Sequence, residues 1–151
     1  MKKIQLVQIG AGGYGEFYMR EYLSGAHENI TLAGVVDPFI DRCSVHDALL
    51  AKGIPVFDDL EAFYAEHSAE LAVIASPIQF HLQQTTVALQ NGSHVLCEKP
   101  LGATWQEVQQ MIAARDAADR FVAIGYQASF SVPAQQFKAD IMSGRFGAPK
   151  R

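Results

Sequence analysis

Apolar and polar positions along this chain fall into short segments that alternate between two periods. Residues 4–9 form a β-rich run that ends at a glycine turn. Residues 13–24 carry apolar positions at helical spacing and stop near Gly25. A second strand is predicted over 31–36, ended by Asp37-Pro38, and a helix over 40–51, closed by Gly53 and carrying Cys43. Residues 55–57 read as a short third strand, and Asp58 or Asp59 can cap the helix after it. The run 71–75 is continuously apolar, as expected of a strand buried on both faces. A helix over 80–90 stops at Asn91-Gly92, and 94–97 is a fifth strand. Thr104 and Glu107 have the spacing of a capping box, in which hydroxyl and carboxylate satisfy free amides of a helix that runs to about Ala118. Val108, Met111 and Ile112 form its core-facing stripe, and Trp105 is read as a packing residue. Residues 121–124 make a sixth strand, and 133–142 a last helix ended by Ser143-Gly144.

Strands that alternate with helices build βαβ units around a parallel sheet. Six of them predict an α/β, doubly wound Rossmann sheet in the order 3-2-1-4-5-6, with helices on both faces. The 151 residues suffice for one such core, and 49% hydrophobic against 19% charged residues excludes a disordered chain. A net charge of −4, without a run of Lys or Arg, argues against nucleic acid as the partner. No apolar run is long enough to span a bilayer, and the N-terminal one is interrupted by Gln5, Gln8 and Gly10, unlike a signal peptide. Two cysteines suit a reducing compartment, so the expectation is a soluble cytoplasmic protein. Cys43 and His46, three apart, supply two ligands at most, and no metal centre is expected.

The chemistry starts at Gly10-Ala11-Gly12-Gly13-Tyr14-Gly15, which matches G-x-G-x-x-G between a predicted strand and a predicted helix. Gly10 permits the tight turn, Gly12 lets backbone approach a pyrophosphate, and Gly15 lets the helix pack on the strand. Free amides at the helix start then face the diphosphate with partial positive charge. Asp37, at the end of strand two, can accept hydrogen bonds from ribose hydroxyls and would repel a 2′-phosphate. The expected cofactor is NAD, with NADP left open by the nearby Arg42.

Three further features fall at strand ends: Ser76-Pro77 with His81, Cys97-Glu98-Lys99-Pro100, and Gly125-Tyr126-Gln127. The glycine turn, Asp37, the Ser76-Pro77…His81 stretch, the stretch from Ala88 to Pro100 and the closing Gly144-Arg145-Phe146-Gly147 carry a resemblance to the glucose–fructose oxidoreductase / inositol dehydrogenase / MocA-type family. The resemblance covers essentially this whole chain, but only the N-terminal half of such an enzyme.

That resemblance implies an NAD(P)-dependent dehydrogenase acting on a secondary alcohol of a sugar, cyclitol or related polyol. It implies that Lys99 is catalytic, hydrogen-bonding the reacting hydroxyl, and that Glu98 positions the nicotinamide end of the cofactor. Ser76, Pro77 and His81 would line the cofactor cleft, joining Gly10, Gly12, Gly13, Tyr14, Gly15 and Asp37 as cofactor-binding residues. Gln127 would face the nicotinamide or the substrate. On the residues alone, His81 reads as a packing or capping histidine. Ser129 stands where many members have arginine, which points to a different substrate contact. By the same resemblance, residues 1–125 are the cofactor domain and 126–151 begin the connection to a substrate domain that supplies the proton acceptor. The longer protein is then expected to be a homo-oligomer, and this chain alone to bind cofactor with little turnover. The alternative is a non-catalytic dinucleotide sensor of the same family, against which Glu98-Lys99-Pro100 weighs.

Overall fold

A computed structural model describes residues 3–147. The expected connection therefore falls partly outside the described residues, at 148–151. Six strands, β1 (Ile4–Ile9), β2 (Ile30–Val36), β3 (Val56–Phe57), β4 (Leu71–Ile74), β5 (His94–Cys97) and β6 (Val122–Ile124), pair in the order β3-β2-β1-β4-β5-β6. Every pairing is parallel. The strands alternate with α1 (Tyr14–Leu23), α2 (His46–Ala51), α3 (Leu60–Glu66), α4 (His81–Gln90) and α5 (Trp105–Ala118), and α6 (Val132–Met142) follows β6.

Successive strand residues point to opposite faces, so neighbouring apolar residues feed two different layers. Val36 joins Val7, Ile9, Phe63 and Leu89 on one face of the sheet. Its neighbour Val35 joins Met19, Val45 and Leu49 on the other. The sheet is thereby covered on both sides, which explains why the central strand β4 reads as an unbroken apolar run. Phe63, fully buried, packs edge-on against Phe57 with centroids 5.5 Å apart.

Helix starts follow the side chains available. Asp59, of the two candidate caps, accepts from the Ala62 amide at 2.7 Å and opens α3. The capping box of α5 forms as the spacing demands: Thr104 accepts from the Glu107 amide at 3.2 Å, and Glu107 accepts from the Thr104 amide at 3.1 Å.

Three expectations need correction. The helix over 40–51 is two pieces, a 3-10 turn at Ile40–Arg42 and α2, separated by Cys43 in extended backbone. The separation is stabilised from outside the segment, because Ser44 donates to Glu16 of α1. Cys43 and His46 therefore do not share a helix. On α5, Met111 is buried, but Ile112 and Trp105 are exposed, Trp105 by 70%. Only one flank of that helix meets α4, and periodicity alone does not say how wide the covered stripe is.

Removing the α5 cap checks the local argument. Thr104→Ala is expected to lower stability by about 1 kcal/mol. In urea unfolding the midpoint falls at constant slope; an unchanged midpoint would show the box to be energetically idle.

Candidate functional site

The strand order reverses between β1 and β4, and the ends of both strands open onto one edge of the sheet. Open parallel sheets bind ligands in the crevice at such a point. Gly10 follows β1, Asp37 follows β2, Ser76 lies just beyond β4, Glu98 follows β5 and Gly125 follows β6. Sequence-distant residues thus meet because each ends a strand.

At the glycine turn the backbone is crowded. Gly10 has φ +79, and a Cβ on it would lie 2.8 Å from the Ser76 amide nitrogen. A Cβ on Gly15 would stand 2.0 Å from the Gly10 carbonyl oxygen. Gly12 and Gly13 differ: an added Cβ would touch only the Cys43 sulfur, at 3.6 Å, in the first case, and no described atom within 4 Å in the second. The first pair is thus demanded by the protein's own packing. Gly13 is demanded by its backbone, with φ +55, and Gly12 keeps open the space above the start of α1. The Gly15 amide is spent on the Gly12 carbonyl at 3.0 Å, and no side chain among the described residues caps α1, which leaves the start of the helix open to an anion. Gln8, fully buried in β1, steadies the turn by donating to the Gly10 carbonyl at 2.8 Å.

Asp37 faces the turn directly. Its Oδ2 accepts from the Ala11 amide at 2.8 Å and its Oδ1 from the Phe39 amide at 2.9 Å. Each carboxylate oxygen keeps a further lone pair. Beside it lies a cleft of about 320 Å³ whose walls include Gly10, Asp37, Phe39, Leu60, Pro77 and Phe80. Asp58, Asp59 and Glu61 also line it, so its charge is acidic. Arg42 is not among its walls; its guanidinium sits over the Phe39 ring, 4.8 Å from the centroid.

The other half of the edge is organised by two buried polar groups. His81 is 2% exposed, with Nδ1 3.0 Å from the Pro100 carbonyl oxygen and Nε2 2.9 Å from that of Ser76. It lies between the loops after β4 and β5 and is not among the walls of the cleft beside Asp37. Ser76 and Pro77 do line it, and the Ser76 hydroxyl donates to Gln84.

Glu98 is 5% exposed, and donors surround it. Its Oε1 accepts from the Tyr18 hydroxyl at 2.7 Å and from Gln127 Nε2 at 2.6 Å; its Oε2 accepts from the Lys99 amide at 3.2 Å. Burial and the Glu98 carboxylate push the Tyr18 phenol above its ordinary range, so it stays a donor. Gly125 makes room, since a Cβ there would lie 2.5 Å from Glu98 Oε1. Lys99 itself is exposed, with Nζ 5.9 Å from the Tyr14 ring centroid. The structure therefore brings Glu98, Lys99, Gln127 and Tyr14 together on one side of the turn, and Asp37, Ser76 and Pro77 on the other. Tyr18 and Gln8 escaped the sequence reading. Tyr18 left a trace there, standing four residues from both Tyr14 and Tyr22, which puts all three on one flank of α1.

Among the described residues no group of three metal-ligating side chains occurs, and no helix is long and apolar enough to cross a membrane.

Residues 4–126 match the model of GFO_IDH_MocA, an oxidoreductase family with an NAD-binding Rossmann fold. The chain is 31% identical over 144 residues to 1-carboxy-3-chloro-3,4-dihydroxycyclohexa-1,5-diene dehydrogenase of Comamonas testosteroni, covering 93% of this chain and 36% of that protein. It is 29% identical over 144 residues to inositol 2-dehydrogenase of Renibacterium salmoninarum, covering 93% and 42%. Among solved structures, the WlbA dehydrogenase from Bordetella pertussis, in complex with NADH and UDP-GlcNAcA, superposes with a TM-score of 0.86 at 26% identity, covering 97% and 44%. The chain spans about two fifths of the length of the curated relatives it matches.

The tight fit at Gly125 can be probed directly. Gly125→Ala forces the Glu98 carboxylate to move and is expected to destabilise by roughly 1–3 kcal/mol, the usual cost of overpacking. A thermal midpoint equal to wild type would show that the pocket for that carboxylate is slack.

Proposed function

The chain belongs to the GFO_IDH_MocA oxidoreductase family, with its NAD-binding Rossmann fold, and from that premise we propose that it is the cofactor half of a polyol dehydrogenase. The reaction is hydride transfer between nicotinamide and a secondary alcohol carbon of a sugar, cyclitol or related polyol. The observation that carries this is the position of Lys99. It lies two residues past the end of β5, on the same sheet edge as the glycine turn, with its ammonium 5.9 Å from the ring centroid of Tyr14, the first residue of α1. The names of two relatives agree with it, one an inositol 2-dehydrogenase and one crystallised with NADH and a UDP-sugar acid.

The residues present fit a dinucleotide. The space above Gly12 and Gly13 and the uncapped start of α1 suit a pyrophosphate. The apolar cleft beside Asp37 suits an adenosine, with the carboxylate's remaining lone pairs turned to ribose hydroxyls. The acidic wall disfavours a 2′-phosphate, so NAD is preferred over NADP. NAD, when bound, supplies the hydride acceptor. Lys99 donates a hydrogen bond to the substrate oxygen and stabilises negative charge there. Glu98 holds the Lys99 backbone in place through its amide.

In this reading the whole protein is a cytoplasmic homo-oligomer, and residues beyond about 126 lead to a substrate domain that supplies the proton acceptor. Phe130, Val132, Phe137 and Met142 support that arrangement, being left exposed on and before α6.

Two assays test the reading. This chain, given NAD and a panel of cyclitols and sugars, is expected to form no substrate-dependent NADH; robust turnover would contradict the division of labour. In a whole protein carrying this domain, Lys99→Ala is expected to lower kcat by about 10²–10³, the range for losing one preorganised charge-stabilising group. An unchanged kcat would remove Lys99 from the chemistry, and a whole protein without turnover would favour a dinucleotide sensor.

A further inference from the structure

Glu98 links three elements. It meets α1 through Tyr18, its own loop through the Lys99 amide, and the loop after β6 through Gln127. A carboxylate accepts hydrogen bonds and donates none. The Gln127 side chain must therefore turn its NH2 group toward Glu98, and Nε2 lies 2.6 Å from Oε1. The Tyr18 hydroxyl donates to the same Oε1, at 2.7 Å, so the oxygen that receives the Gln127 NH2 group is itself held from α1. Turning the amide over would set its carbonyl oxygen against a carboxylate oxygen, in a place where only donors are tolerated. Gln127 is an exposed residue, and with its NH2 group on Glu98 no hydrogen bond to its carbonyl oxygen is found among the described residues.

We propose that Tyr18 is a positioning residue: with Glu98 it fixes the Gln127 amide so that a carbonyl oxygen is presented to the nicotinamide end of the ligand. The site then selects a ring substituent that carries N–H donors, a carboxamide, over one of equal size that carries none. This rests on the reading of the edge as a dinucleotide site. Tyr18 touches neither ligand nor reacting atoms; it acts through the orientation of another side chain.

The test is a set of binding titrations on this chain, with no turnover required. The probes are NADH, reduced 3-acetylpyridine adenine dinucleotide, in which an acetyl group replaces the carboxamide, and ADP-ribose, which lacks the ring. Wild type is expected to bind NADH roughly three- to tenfold more tightly than the acetyl analogue, the worth of one hydrogen bond. Tyr18→Phe brings that ratio toward one while leaving ADP-ribose affinity unchanged. Gln127→Leu does the same, with a thermal melt to show that the chain stays folded once Glu98 has lost that donor. The proposal is overturned if Tyr18→Phe keeps the wild-type ratio, or if it weakens ADP-ribose and NADH equally. It is overturned too if wild type shows a ratio of one while ADP-ribose still binds, in which case the dinucleotide reading survives. A folded wild-type chain that fails to bind ADP-ribose overturns both.

Discussion

An added Cβ on Gly15 would stand 2.0 Å from the carbonyl oxygen of Gly10, so the first turn of α1 rests against the end of β1 with no side chain between them. That contact aims α1 at the sheet edge and brings its uncapped amides to the point where the strand order reverses. The turn is then locked from three sides. Its first amide donates to the Val36 carbonyl at 2.9 Å, Asp37 holds the Ala11 amide, and Gln8 holds the Gly10 carbonyl from within the core. A loop so constrained has little entropy left to lose when an anion arrives.

The half of the edge built by β5 and β6 works on a different principle. There a carboxylate has been taken out of water, which is tolerable because charge-assisted hydrogen bonds replace its hydration. Tyr18, Gln127 and the Lys99 amide supply them. Each donor that serves Glu98 is fixed in return, so one buried group sets the positions of a helix, a strand end and a loop. His81 does the matching work for the loops after β4 and β5, with a carbonyl on each ring nitrogen. Lys99 is thus an exposed side chain on a backbone that Glu98 holds.

Much of this was legible in the sequence because it is local. Strand and helix segments, the α5 capping box and the glycine turn each depend on residues a few positions apart, where period and sterics decide the outcome. What the sequence hid depends on partners brought together by the fold. The Tyr18 hydroxyl meets a carboxylate 80 residues away, and the two carbonyls beside His81 come from different strand ends. The break at Cys43 follows the same logic. Val45 and Leu49, four apart, fit one helix face, yet Ser44 is engaged by Glu16 on a neighbouring helix. Trp105 and Ile112 stayed exposed because a helix covered along one flank leaves part of its apolar stripe to solvent.

The account turns on the glycine turn and Asp37 receiving NAD. Its most direct check is a fluorescence titration of this chain with NADH and, separately, with NADPH. Saturable binding is predicted, with NADH clearly the tighter, because the acidic wall beside Asp37 repels a 2′-phosphate. Tighter binding of NADPH, or no binding of either by a folded chain, would contradict it.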